Sequence, residues 1–302
     1  MKKNLRLTYL FLFSILIYSC SKEESSKTTE KLKYKATQLP EDINKLFDVR
    51  GESSADTVWV YFQGGPDQKK NLELEDGSDD GKEFDFFLDD LRVYPLQAQH
   101  LNTDLFNYTD FNYEYSVKEN NTAVKVVKKV IQHFKDQDKV VYLIGHSYGA
   151  FMVQEFLKEH GNLSHASAVL NCRLDMDEVV WKGGQNGKAY VFDSSGKNPK
   201  EQDLTNPPPG ANLQQAQNSA ILASGLGTTR YTKALKDVDL SKTIFYGNSG
   251  DDAVGRWSEA EINFLKSKST QYFYNSGGYS EVFDYESMKR LVSELIMLDK
   301  SE

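Results

Sequence analysis

Residues 140–160 read VVYLIGHSYGAFMVQEFLKEH. An apolar run from Val140 to Ile144 ends in Gly145-His146-Ser147-Tyr148-Gly149, and a stretch with helical character follows. Short continuous apolar runs suit central strands of a parallel sheet. Gly-x-Ser-x-Gly between a strand and a helix is the pattern of a nucleophile elbow, a sharp bend that lifts a serine hydroxyl clear of the sheet. Such a bend tolerates little bulk beside the serine, hence Gly145 and Gly149. A serine hydroxyl is a poor nucleophile until a base removes its proton. The stretch therefore asks which residue takes the proton from Ser147.

Outward from the elbow, strands and helices alternate. DTVWVYFQGGP (56–66) reads as a buried strand ending in a Gly-Gly-Pro turn, and LRVYPLQAQ (91–99) as a second strand. NTAVKVVKKVIQHF (121–134) carries a helical apolar stripe through Ala123, Val124, Val127, Val130, Ile131 and Phe134. Strands are also expected within 139–145, 165–175, 242–252 and 269–279, and helices over 149–160, 258–267 and 284–298. Cys172 is expected to be buried as a small hydrophobe. This order predicts an α/β chain with a mostly parallel sheet covered on both faces. Between about 176 and 236 the alternation lapses into KGGQNGK, SSGKNPK and NPPPGANLQQAQNS. That region reads as a cap or lid insertion within one domain, 39–302, and no internal repeat is found.

The chain has 302 residues and a formal charge of −8. Removing Lys2, Lys3 and Arg6 with the leader leaves 33 basic against 44 acidic residues, or −11. A surface that acidic argues against nucleic acid and against anionic membrane surfaces as partners. The two cysteines are far apart and no Cys/His spacing suggests a metal. Neither a metal nor an organic cofactor is called for.

Residues 1–20, MKKNLRLTYLFLFSILIYSC, read as a signal segment. A basic n-region precedes an apolar stretch from Leu7 to Tyr18, too short to span a bilayer comfortably. Ile17-Tyr18-Ser19-Cys20 resembles a bacterial lipobox, with Cys20 as the lipidated residue. Several acyl chains there would give a stable membrane anchor. The competing reading is an ordinary signal peptide with a chance cysteine. The polar segment 21–38 reads as a flexible tether. Lys22-Glu23-Glu24 resembles the signal that sends some Gram-negative lipoproteins to the outer surface, although a charge run there is usually only a spacer. The expected location is the bacterial cell envelope, lipid-anchored at the outer membrane, with surface exposure as one alternative and the membrane face left open.

With the elbow, the Gly-Gly-Pro turn and the element order in place, the chain resembles the α/β-hydrolase fold over roughly residues 40–300. The QGGP turn looks closest to the His-Gly-Gly-Pro turn of proline iminopeptidase-like hydrolases, with Gln63 standing where that family has histidine. The resemblance implies Ser147 as nucleophile. It implies an oxyanion hole from the backbone N–H groups of Tyr148 and Gly65, unless Gly64-Gly65-Pro66 is only a tight turn. It places the triad acid after the strand TIFYG, at Asp251 with Asp252 as the alternative, where a solvated acidic turn is the competing reading. The family's histidine belongs in a turn that here reads Gly277-Gly278-Tyr279-Ser280, so the histidine position holds Tyr279. No histidine follows residue 165. A phenol with pKa near 10 cannot replace an imidazole as a base at neutral pH.

Of the five histidines, His146 is the elbow's variable residue and the bend aims it away from the hydroxyl. His133 is expected at a helix surface. His160 and His165 are expected at the end of the sheet opposite the site. His100 follows a strand whose C-terminal end faces the pocket side of such a sheet. It is therefore the speculative displaced base, against the plainer reading of a pocket or loop histidine. Losing a triad histidine costs about 10⁶ in turnover, roughly 8 kcal/mol of barrier. Three readings follow. The first is a weak ester or peptide hydrolase with a displaced base. The second is an inactive hydrolase-fold protein that binds a small ester, amide or acyl ligand, or a protein partner. The third is non-hydrolytic chemistry that needs only the oxyanion donors. The aromatic residues of 84–115 are expected either to line a pocket or to pack the core and loops. The acidic residues among them argue against a strongly anionic substrate.

Overall fold

The computed structural model describes residues 31–70, 90–207, 211–248, 254–268, 270–275, 282 and 285–300. Strands β1 (Phe47–Gly51), β2 (Thr57–Phe62), β3 (Leu91–Pro95), β4 (Val140–His146), β5 (Ala166–Leu170), β8 (Thr243–Asn248) and β9 (Gln271–Asn275) form one sheet in the order β1-β3-β2-β4-β5-β8-β9. Only β1 runs antiparallel, against β3; the other neighbours pair in parallel. The expected mostly parallel sheet is present. Strand β1 is an addition, half exposed at the sheet edge and without the apolar run that marks the central strands.

Alternation along the strands divides the core into two layers. Val141 and Leu143 of β4 face the same side as Val58, Val60 and Phe62 of β2. There they pack with helices α2 (Tyr113–Lys135) and α3 (Tyr148–His160), which follow the single turn α1 (Ala98–Leu101) in the chain. Tyr142 and Ile144 face the other side with Trp59 and Tyr61, under Met288, Leu291 and Leu295 of α8 (Tyr285–Asp299). Both faces of the central strands are dry, so they read as unbroken apolar runs. Helix α2 begins eight residues before the expected stripe, because Asn112 caps it by accepting from the Tyr115 N–H.

Between β5 and β8 the chain leaves the sheet. It forms α4 (Glu178–Gln185), a hairpin of β6 (Tyr190–Phe192) and β7 (Pro199–Glu201), α5 (Leu213–Gly227) and the single turn α6 (Tyr231–Ala234). These helices went unread in the sequence because α4 contains Gly183-Gly184 and α5 opens on three polar residues in its first five. Helix α5 docks on the body through buried amides. Asn218 donates to the Phe106 and Tyr108 carbonyls at 3.0 and 2.8 Å, and Asn120 of α2 donates to the Leu222 carbonyl at 2.9 Å.

One expectation is corrected here. The compact unit begins at Leu32, so residues 32–38, expected in the tether, belong to the body. The Tyr34 ring stacks on Tyr115 at 3.8 Å, its hydroxyl donates to Glu119, and the Thr37 N–H donates to the same carboxylate oxygen. Local composition gives no sign of that long-range stacking. The aromatics Phe106, Tyr108 and Phe111 pack in the core, one of the two expected placements, and are not among the residues lining the pocket beside Ser147; residues 84–89 lie outside the described set.

The loop after β5 is tied to helix α7 (Glu259–Ser267) by one buried carboxylate. Glu261 accepts from Arg173 Nε at 3.0 Å and lies 2.8 Å from its Nη2. It also accepts from the backbone N–H groups of Leu174, Asp175 and Ser258. Removing the charge leaves the buried Arg173 with only the partly exposed Asp177, 3.3 Å from its Nη1, as counter-ion. Glu261→Gln should lower the unfolding free energy by about 3 kcal/mol, read as a drop in the urea midpoint at constant slope.

Candidate functional site

At the end of β4 the backbone turns at Ser147 with φ 53° and ψ −115°. A side-chain-bearing residue there costs about 1–3 kcal/mol and persists only where its surroundings hold it. Three bonds do so. The Ser147 N–H donates to the Leu170 carbonyl at 2.9 Å, and its carbonyl accepts from Ala150 and Phe151 at 3.0 and 3.2 Å. The helix then starts hard against the end of β2. A Cβ at Gly149 would lie 2.2 Å from the Phe62 carbonyl oxygen. The Gly-Gly turn presses on the elbow from the same side. A Cβ at Gly64 would lie 3.2 Å from His146 Nδ1 and 3.3 Å from Ser147 Cβ.

That turn is braced from behind by side-chain amides and one imidazole. Gln63 Nε2 donates to the Lys69 carbonyl at 2.9 Å. Gln97 Nε2 donates to the Gln63 carbonyl at 3.2 Å, and Gln99 Nε2 to the Asp67 carbonyl at 3.0 Å. From α5, the Ser219 hydroxyl donates to the Pro66 carbonyl at 2.9 Å. Sequence reasoning singled out none of Gln97, Gln99 and Ser219. A glutamine-rich stretch after a strand was the only available signal.

His100 belongs to this brace. Its Nδ1 accepts from the Gln97 N–H at 3.2 Å, so Nε2 carries the proton and donates to the Asp67 carbonyl at 3.1 Å. Burial pushes its pKa below 6.5. Both ring nitrogens are engaged, and His100 is not among the residues lining the pocket. The geometry does not bring it to Ser147 as a base; it supports the turn instead.

The pocket has a volume of about 350 Å³, within the range of ligand sites. Gly65, Ser147 and Tyr148 line it together, so the structure unites three of the expected site residues. Tyr148 is the first residue of α3, and first-turn N–H groups have no intrahelical acceptor. Its side chain is directed elsewhere. Burial and the Glu119 charge hold the phenol protonated, and it donates to Asn120 Oδ1. Phe151, Met176, Val180, Trp181 and Tyr190 supply apolar walls, most of them from the segment between β5 and β8. Among the described lining residues there is no Asp, Glu or His. Lys188 reaches the lining but pairs with Glu201 at 2.8 Å, which raises its pKa and keeps it a cation.

The other imidazoles are placed as follows. His133 lies at the surface of α2, partly covered by Phe47, and meets Gln137 at 2.9 Å. His160 packs edge-on to Phe156 at the end of α3. His165 Nδ1 accepts from the Val141 N–H at 2.9 Å, at the start of β4. His146 lies against Gly64, and burial lowers its pKa to about 3. So weak a base has little drive to take a serine proton. Asp251, Asp252, Tyr279 and Cys20 lie outside the described residues.

No protein-family model matches the chain, and no curated relative is found by sequence. Solved structures do match. MGS-M2, an α/β hydrolase enzyme from a Medee basin deep-sea metagenome library, aligns over 85% of this chain and 94% of its own at a TM-score of 0.52 and 11% identity. MenH from S. aureus aligns over 85% and 99% at 0.51 and 10% identity. The thioesterase domain of the curacin biosynthetic pathway aligns over 83% and 94% at 0.50 and 13% identity. This is the α/β-hydrolase fold. In this α/β-hydrolase fold the pocket opens at the C-terminal ends of the parallel strands, where ligands of open α/β sheets bind.

Three histidines, His100, His146 and the more exposed His160, have pKa values lowered by burial and make stability depend on pH. Each favours the neutral form in the folded chain and titrates near 6.5 when unfolded. Below pH 6.5 the unfolded state takes up protons that the folded state refuses, so stability is full above that pH and falls as pH drops. Between 6.5 and 3, His146 alone should remove about 1.4 kcal/mol per pH unit. Denaturant midpoints from pH 7 to 4 should show the decline, and His146→Gln should flatten it.

Proposed function

We propose that the protein is a lipid-anchored α/β-hydrolase-fold binding protein of the bacterial cell envelope, with Ser147 at most a slow nucleophile. Its pocket takes a small ester, amide or acyl compound with an apolar body. The observation carrying this reading is the placement of the imidazoles. All five histidines of the chain lie among the described residues. None lines the pocket, and His100, the best-placed in sequence, is spent on the Gly-Gly turn.

What persists is the means to hold a carbonyl. Gly65 and Tyr148 border the pocket beside Ser147, and their N–H groups are the proposed oxyanion donors. Such donors can polarise an acyl carbonyl without a base, and in proteases lacking a triad member they leave about 10³–10⁴-fold catalysis over water. The segment between β5 and β8 acts as the cap that sets which ligand fits. Asp251 is the proposed remnant of the triad acid and Tyr279 the proposed replacement of its histidine. A second reading, residual hydrolysis, draws on the strained backbone of Ser147, since such strain gathers at working sites.

Fluorophosphonate labelling separates the two, because it needs an activated serine. Wild-type protein should label weakly, and hydrolysis of a p-nitrophenyl acyl ester should stay within about 10³–10⁴ over water. Tyr279→His should raise both. Rapid labelling of wild type, lost in Ser147→Ala, would overturn the binding reading.

The anchor is proposed at Cys20, with the outer-membrane surface as its site. Among the described residues no helix is long and apolar enough to cross a membrane. Full-length protein expressed in a Gram-negative host should partition into the detergent phase on Triton X-114 separation, and Cys20→Ala should move it to the aqueous phase. Protection of the anchored form from protease on intact cells would place it on the inner leaflet instead.

A further inference from the structure

The pocket extends unequally to the two sides of Ser147. The elbow and the Gly-Gly turn form its floor, and α5 with α4 beside it forms its roof. The Ser219 hydroxyl donates to the Pro66 carbonyl, which marks where α5 passes the turn. From that level α5 lines the cavity back to Ala216 and forward to Gly227. At 1.5 Å per helical residue these are arms of about 4 Å and about 12 Å.

The two arms differ in character. A Cβ at Gly187 would lie 3.0 Å from Gln217 Cβ, which puts Lys188 at the Ala216 end. There its exposed ion pair with Glu201 marks an opening to solvent. The long arm runs between α3 and the second half of α5. Tyr148 and Phe151 face Ala223 and Gly227 across it, and the Phe151 ring meets Tyr231, just beyond α5, at 6.2 Å. This arm is blind. A Cβ at Gly227 would lie 2.9 Å from Trp181 Cβ and 3.8 Å from Met176 Cγ, and Met176 is buried.

The sequence of α5 keeps the long arm empty. Its large residues, Ile221, Leu222 and Leu226, are buried in the core. Towards the pocket it presents Ala216, Ala220, Ala223 and Gly227, on one face by helical spacing. A leucine in any of these places would fill space that an alanine leaves open. Polar groups along the arm are bonded away from it: the Ser224 hydroxyl donates to the Ile221 carbonyl and the Tyr148 phenol to Asn120. What remains is a hydrocarbon wall.

We propose that the long arm holds an acyl chain of about eight to ten carbons, the length that about 12 Å accommodates at roughly 1.2 Å per bond of an extended chain. The acyl carbonyl sits at the Gly65 and Tyr148 N–H groups, and the alcohol or amine part points to the open end at Lys188. Ala223 and Met176 are the specificity-determining residues that set the chain length. This rests on the pocket being the binding site proposed above.

The test titrates full-length protein with the methyl esters of butanoic to tetradecanoic acid by calorimetry. Each methylene that enters the arm should tighten binding about fourfold. The gain should stop at about eight to ten carbons, where the arm ends. Ala223 stands midway along the arm, so Ala223→Leu should weaken methyl decanoate at least about tenfold more than methyl butanoate and move the end of the gain to shorter chains. Met176→Ala opens the blind end and should move it to longer ones. Urea midpoints show that each variant keeps its fold. If methyl butanoate binds but affinity does not rise with chain length, or if both folded variants keep the wild-type length profile, this inference is wrong and the pocket reading stands. If no ester in the series binds, the pocket reading fails and takes the inference with it.

Discussion

Everything at the site depends on how closely the start of α3 approaches the end of β2. With only hydrogen at Gly149, the helix sits where any side chain would collide with the Phe62 carbonyl. That contact sets the axis of α3 and hence the bend at Ser147. It also fixes the distance from the elbow to the Gly-Gly turn that follows β2. The cost of a serine at φ 53° is met by the sheet through Leu170 and by the first turn of the helix. Strain of this kind is kept in place by the packing around it and by nothing local.

The Gly-Gly turn shows how a polar scaffold can substitute for secondary structure. Its carbonyls at Gln63, Pro66, Asp67 and Lys69 all receive side-chain donors from the body or from α5. With its carbonyls bonded outward, the turn is held in one orientation beside Ser147. His100 is one of these supports, which is why a histidine in the right part of the fold does no acid-base work there. An imidazole that donates and accepts in fixed hydrogen bonds is a bracket; leaving that arrangement would break two bonds in a buried setting.

The segment between β5 and β8 links the pocket to the body twice over. Its α5 helix is docked by Asn218 and Asn120 on one side, and on the other it contributes Ser219 to the turn and several small residues to the pocket wall. Helix α4 brings Trp181. Ligand selection and the geometry of the oxyanion turn thus share one structural element, so a change in α5 would be felt at both.

The sequence by itself determined the parallel part of the sheet, the elbow and the absence of any histidine after residue 165. Those signals are local: an apolar run, two glycines at fixed spacing around a serine, and a residue type read directly at a position. The edge strand β1, the helices of the inserted segment, the docking of Tyr34 on Tyr115 and the role of His100 were decided only in the tertiary structure. Each depends on partners 33 to 112 residues away in the chain. A histidine's protonation and purpose follow from what its two nitrogens touch, and no one-dimensional pattern contains that information. Residue type sets what a side chain can do; the contacts made by the folded chain decide which of those things it does.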